Sequence, residues 1–154
     1  FLLVLPILVL PIAWHWVLIG FLAMQVTSGL ILAVIFQTAH VVPTSEYPVP
    51  DNNNEMDNDW AVHQLYTTSD FAPGSKLFSW LIGGLNFQVV HHLFPNISHV
   101  HYKNLAKIVE ETARKYQLPY HVNKTFRGAV YQHALMLKSL GKPKNKITFS
   151  KLIN

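Results

Sequence analysis

Histidine is the residue type that carries chemistry in this chain. There are nine in 154 residues and no cysteine, so thiolate metal sites, iron–sulfur clusters, disulfides and cysteine nucleophiles are excluded here while imidazole chemistry is not. His91 and His92 are adjacent in the segment NFQVVHHLFP, and His40 closes a long apolar run. Neighbouring residues on a helix point about 100° apart, so such a pair can serve two metal ions or bracket one edge of a two-metal centre. Neutral imidazole suits iron, copper and zinc. The plain alternative is that His40 satisfies carbonyls at a helix end and that the pair is incidental; spacing alone leaves both readings open. His15 reads as an interfacial side chain and His99-Val100-His101 as a chelating pair or a surface turn. His121 and His133 belong to an amphipathic C-terminal segment.

The elements that must position these residues begin with an apolar stretch. The first Asp, Glu, Lys or Arg is Glu46. At about 1.5 Å per residue a hydrocarbon core of about 30 Å takes about 20 residues, so the charge-free opening is too long for one membrane span. Pro6 and Pro11 interrupt its first part, which reads as the end of one span finishing near Ile12, with Trp14-His15-Trp16 as an aromatic belt. A full span follows from about Trp14 to Ala39, ending at His40. The opening Phe1-Leu2-Leu3 lacks a signal-peptide pattern, and the expectation is the C-terminal part of a longer membrane protein cut within a transmembrane helix.

Residues 43–59, rich in Pro, Asn and Asp, read as a loop outside the membrane. Trp60 to His92 has apolar clusters too short for a span and reads as interfacial helices and turns against the bilayer surface. A helix from about Lys103 to Gln117 is expected to present Leu105, Ile108, Val109, Thr112 and Tyr116 on one face, with Glu110 and Arg114 paired at i,i+4. A last helix runs from about Phe126 to Leu140, capped by Thr125 and stopped by Gly141, before a loose Lys-rich tail. The fold class is thus all-α, with the end of one span plus one full span (1–40), a loop and interfacial segment (41–102), and a cytoplasmic helical region (103–154).

Charge is segregated along this plan. Six of the eight acids lie between Glu46 and Asp70, and all 12 Lys and Arg residues lie from Lys76 onward. A basic region after a span favours a cytoplasmic C-terminus and contact with anionic membrane lipids. The basic residues are dispersed, which argues against nucleic acid as a partner.

The string GGLNFQVVHHLFPNISHVHY closely resembles the third histidine box of membrane fatty acid desaturases. It is most similar to the front-end or linoleoyl-type acyl desaturases, in which Gln replaces the first His of the box, here Gln88 through Pro95. The resemblance continues through FQTAHVVP and WAVHQLYTTSDF and covers essentially the whole chain. It implies that His91 and His92 are iron ligands, that His40 is a further metal-binding residue, and that Gln88 takes a ligand's place, binding metal directly or through water. Gln37 is a candidate to hold a metal-bound water. Trp60, His63, Gln64 and Asn86 are candidates to line the substrate channel or support the ligands, with plain packing as the alternative for each. Val90 stands where Glu is frequent, so one supporting carboxylate is missing.

The chemistry so implied is a cis desaturation of an acyl chain, carried as acyl-CoA or acyl-lipid. It uses dioxygen, two Fe ions in a di-iron centre, and a one-electron donor such as ferredoxin or a cytochrome b-type carrier. The bacterial inner membrane or the endoplasmic reticulum would house it. The family's two earlier histidine boxes do not occur in these residues, so the chain alone is expected to be inactive. A related membrane di-iron hydroxylase, a sphingolipid desaturase, and a noncatalytic membrane interaction or transport protein are the competing readings.

Overall fold

The computed structural model describes residues 1–142, so most of the expected Lys-rich tail lies outside the described residues. The chain divides into two units, Phe1–Val34 and the residues from Ile35 onward.

In the first unit, α1 (Val4–Val9) is only six residues long. It stops at Leu10, earlier than the expected Ile12. The residue before a proline is pushed out of the helical region, and Leu10, preceding Pro11, is extended at φ −84°, ψ 136°. Then α2 begins at Trp14 and runs to His40 as expected, crossing from the first unit into the second. Its 27 residues rise about 40 Å, and it is the one helix among the described residues long and apolar enough to cross a bilayer. Its large side chains are exposed on all sides, among them Ile19, Leu22, Val26, Leu30 and Ile31.

The second unit is mostly helical. It contains α3 (Trp60–Thr67), α4 (Lys76–Leu81), α5 (Gln88–Leu93), a 3₁₀ turn (His99–His101), α6 (Tyr102–Lys115) and α7 (Phe126–Leu140). The all-α expectation needs one correction: β1 (Ser69–Phe71) and β2 (His121–Asn123) form a parallel pair in the register Ser69↔His121, Asp70↔Val122, Phe71↔Asn123. A parallel pair requires a crossover, and here α4, α5 and α6 all lie within it. Three apolar clusters fill the unit. Phe71 joins Ile35, Ala39 and Ala129; Val90 joins Phe87, Tyr102 and Ala106; Val89 joins Leu65 and Ala113.

The bounds of α7 match expectation, with the Thr125 hydroxyl accepting from the Gly128 amide and Gly141 following the last turn. The Glu110–Arg114 pair forms at 2.6 Å. In α6 the expected face packs inward at Leu105 and Val109, but the most deeply buried residues differ from those expected. Tyr102, Ala106 and Ala113 are buried while Ile108 and Tyr116 are exposed, because the small alanines let α6 approach α5 closely. The helix also ends two residues early, since Gln117 turns left-handed (φ 56°) and the Leu118 amide bonds back to the Ala113 carbonyl.

Gly83 and Gly84 both have positive φ, at 61° and 74°, but for different surroundings. A Cβ on Gly83 would meet open space, whereas one on Gly84 would lie 3.1 Å from the His99 Cβ and 3.3 Å from the Tyr102 ring. In the full-length protein Gly83→Ala should therefore cost about 1 kcal/mol of backbone strain and Gly84→Ala about 2–3 kcal/mol. Thermal unfolding in detergent measures both, and equal losses would refute the close approach.

Candidate metal centre

A six-residue helix is too short to be stable by itself, so α5 depends on its surroundings. Val89 and Val90 are fully buried in different apolar clusters, which fixes the helix from two directions. Its first turn is held electrostatically. The Asp70 carboxylate, 1 % exposed, accepts from the Val89 amide at 3.0 Å and from the Tyr120 hydroxyl at 2.6 Å. The Phe71 amide donates to the Asn86 carbonyl, and the Asn86 side chain donates to the Ala72 carbonyl. Strand β1 thus grips α5 and the residues just before it.

His91 and His92, at the far end of α5, are each oriented by a polar side chain from another element. His92 Nδ1 lies 2.7 Å from Gln64 Oε1 on α3. An amide oxygen only accepts, so Nδ1 carries the hydrogen and Nε2 keeps its lone pair. His91 Nδ1 lies 3.1 Å from the Tyr102 hydroxyl at the start of α6. The ring of His40 comes within 4.9 Å of His92, centroid to centroid, and His91 and His92 are 5.9 Å apart. His40 is held in turn by the end of α2: the Tyr47 hydroxyl donates to the His40 carbonyl at 2.7 Å, and His133 Nδ1 donates to the Val41 carbonyl at 2.8 Å.

Of the other residues singled out in the sequence, Gln88 is fully buried with its amide beside the His40 imidazole, and neither amide atom makes a close hydrogen bond. Gln37 is exposed on α2. Trp60, 60 % exposed, lines an apolar cavity of about 350 Å³ with Leu65, Leu93, Val109 and Leu118, between α3, α5 and α6. The His63 Nδ1 is buried without a partner. Asn86 tethers the approach to α5, as described. The positioning roles of Asp70, Tyr47, Tyr102, Tyr120 and His133 carry no local sequence signal; only the tertiary contacts reveal them.

Among the described residues no group of three or more His, Asp or Glu side chains is gathered closely enough to hold a metal ion. The donors present nevertheless suit one side of a centre. His92 has its outer nitrogen fixed as a donor, which leaves the inner one basic, the arrangement that metal-bound imidazoles use. Burial, together with the neighbouring His40 and His91, holds the His92 imidazole down at about 4, so it is neutral at physiological pH. The buried Gln88 amide, beside the His40 imidazole, brings a further polar group to the same place.

Burial raises the Asp70 carboxyl from 3.8 to about 6, against the opposing effect of its hydrogen bonds from Tyr120 and the Val89 amide. Glu110 adds to the rise, and Lys103, Lys107 and Lys124 line the same cleft. The folded carboxyl therefore holds its proton more tightly than the unfolded one. Stability contributed by this group is full below about pH 4, falls by about 3 kcal/mol as pH rises to about 6, and is flat above. Asp70→Asn should remove that slope. Thermal midpoints of both proteins between pH 4.5 and 7 test this, and parallel profiles would exclude Asp70 as the source.

The fatty acid desaturase family pattern matches residues 1–124. The chain is 40% identical over 137 residues to the sn-1 linoleoyl-lipid 6-desaturase of Arthrospira platensis, covering 86% of this chain and 37% of that protein. It is 39% identical over 127 residues to the enzyme of that name from Synechocystis sp., covering 82% of this chain and 35% of that protein. It is also 40% identical over 145 residues to the acyl-lipid (8-3)-desaturase of Mortierella alpina, covering 94% and 32%. The chain thus spans about a third of the length of these curated relatives. No solved structure matches it. On the strength of these matches, the chain belongs to the fatty acid desaturase family.

Proposed function

We propose that this chain is the C-terminal part of an integral-membrane acyl-lipid desaturase, in which His40, His91 and His92 supply ligands to a di-iron centre. The remaining ligands would come from residues outside this chain. The observation that carries the reading is the meeting of His40 with a His92 whose tautomer is set by Gln64. The acyl-lipid substrate rests on what the relatives from Arthrospira, Synechocystis and Mortierella are named for. When bound, the iron centre would supply dioxygen-dependent oxidation: two hydrogens leave adjacent methylenes as a cis double bond forms, and two electrons from ferredoxin or a cytochrome b-type carrier, with two protons from solvent, complete the reduction of O₂ to two waters.

The residues of this chain orient and shelter that chemistry. Gln64 keeps the hydrogen of His92 on Nδ1, and Tyr102 holds the ring of His91. Tyr47 and His133 fix the end of α2 and with it His40. In this reading Gln88, at the buried start of α5, would bind metal directly or through a bound water. The basic residues from Lys76 onward favour the cytoplasmic side of the membrane for the C-terminal region.

Expression of the full-length protein in a host of known lipid profile tests the reading. The expected product is an acyl-lipid lighter by two hydrogens; a gain of one oxygen would instead make the enzyme a hydroxylase. His92→Ala should abolish the product, and full activity in that variant would overturn the ligand assignment. Gln64→Leu should lower iron affinity about 10- to 100-fold with helical content unchanged, measured by metal analysis of the purified protein.

A further inference from the structure

The last carbonyls of a helix meet no amide of that helix, so the end of α3 takes its donors from elsewhere. The helix stops because Thr68 is extended, at φ −130°, ψ 143°, and leads into β1. The Tyr66 carbonyl accepts from the Glu46 amide at 2.9 Å. The Thr67 carbonyl, next along, is a hydrogen-bond partner of the His40 ring. The two contacts close one junction, because residues 40 and 46 flank the turn that follows α2. The Tyr47 hydroxyl, from just beyond that turn, bonds to the His40 carbonyl and completes it.

A carbonyl oxygen only accepts, so the His40 nitrogen facing Thr67 carries the hydrogen and the other keeps its lone pair. Gln64 imposes the same choice on His92 through Oε1, 2.7 Å from Nδ1. Gln64 and Thr67 are three residues apart and so neighbours on one helix face, and the two rings they hold lie 4.9 Å apart. The partial negative charge at a helix C-terminus favours both N–H groups pointing toward it. We infer that α3 is the positioning element for both histidines: Gln64 acts on His92 through its side chain, and Thr67 acts on His40 through its main-chain carbonyl. One short helix thereby fixes two tautomers, and each imidazole keeps one nitrogen free of hydrogen. His91 lies outside this control, since its neighbour is Tyr102 on α6. The inference rests on the di-iron reading for its chemical consequence and not for the tautomers themselves.

The full-length protein, isotope-labelled at histidine nitrogen and stripped of metal by chelation, is reconstituted in lipid for solid-state NMR. His40 and His92 are assigned by the signals lost in His40→Ala and His92→Ala. The expected result is a single tautomer for each ring, with one protonated and one bare nitrogen. Gln64→Leu should release only His92 into a mixture of tautomers. Thr68→Pro bars Thr67 from the helical region and turns its carbonyl away, so it should release only His40 and lower iron affinity about 10- to 100-fold in a metal titration. Thr68→Val keeps the peptide and removes only a buried hydroxyl that has no partner, and should change neither ring. Mixed tautomers at His40 in the wild-type protein would overturn the inference, and that spectrum decides even where Thr68→Pro does not fold. A His40 spectrum unmoved in folded Thr68→Pro would overturn it equally. Fixed tautomers in a full-length protein that takes up no iron would support the role of α3 and sink the di-iron reading instead.

Discussion

The second unit depends on one buried carboxylate. Asp70 lies where strand β1 passes the first turn of α5, and its two oxygens join elements that are remote in sequence: the Val89 amide on one side and the Tyr120 hydroxyl, just before β2, on the other. Amides in the first turn of a helix have no partner within the helix, and a carboxylate satisfies both their hydrogen bonding and the positive end of the helix dipole. Burial makes the charged form costly, which is why the carboxyl is raised rather than lowered despite two donors. The arrangement exchanges some stability at neutral pH for a fixed register between β1 and the helix that carries His91 and His92.

The two sides of the candidate centre are built on different principles. His91 and His92 ride on a helix that is short, buried along Val89 and Val90, and immobilised by its neighbours. His40 ends a helix of 27 residues that is long and apolar enough to cross a bilayer, and its final turn is anchored separately. Tyr47 and His133 provide that by taking up carbonyls at and just beyond the end of α2. Since the last carbonyls of any helix lack intrahelical donors, these two bonds satisfy the backbone and hold the imidazole at the same time.

What the sequence disclosed follows from the range of the interactions involved. The long apolar run defined α2, and the Thr125 cap with Gly141 defined α7, because spans and caps are written in adjacent residues. The histidines and Gln64 were visible as residue types in a distinctive string. The strands were not, because each has three residues and its partner lies beyond three helices. A lone Asp70 after two threonines and a serine looked like a loop residue, and only the fold turns it into a helix-capping group. The misjudged burial along α6 has the same origin: periodicity weighted the bulky Ile108 and Tyr116, whereas close packing against α5 selected Ala106 and Ala113.

Val90 shows what an acid at the centre of α5 would cost. A carboxylate there would have to be buried in the cluster of Phe87, Tyr102 and Ala106, where an unpaired charge is expensive. With valine in that place the cluster is wholly apolar apart from the Tyr102 hydroxyl, and that hydroxyl is the group next to His91. Orientation of His91 then falls to a neutral phenol instead of an acid. A hydroxyl can donate to Nδ1 or accept from it, so unlike the amide oxygen beside His92 it does not by itself select a tautomer of His91. The contrast with His92, held by a shorter bond to an amide oxygen, makes the two adjacent imidazoles chemically unequal before any ligand arrives.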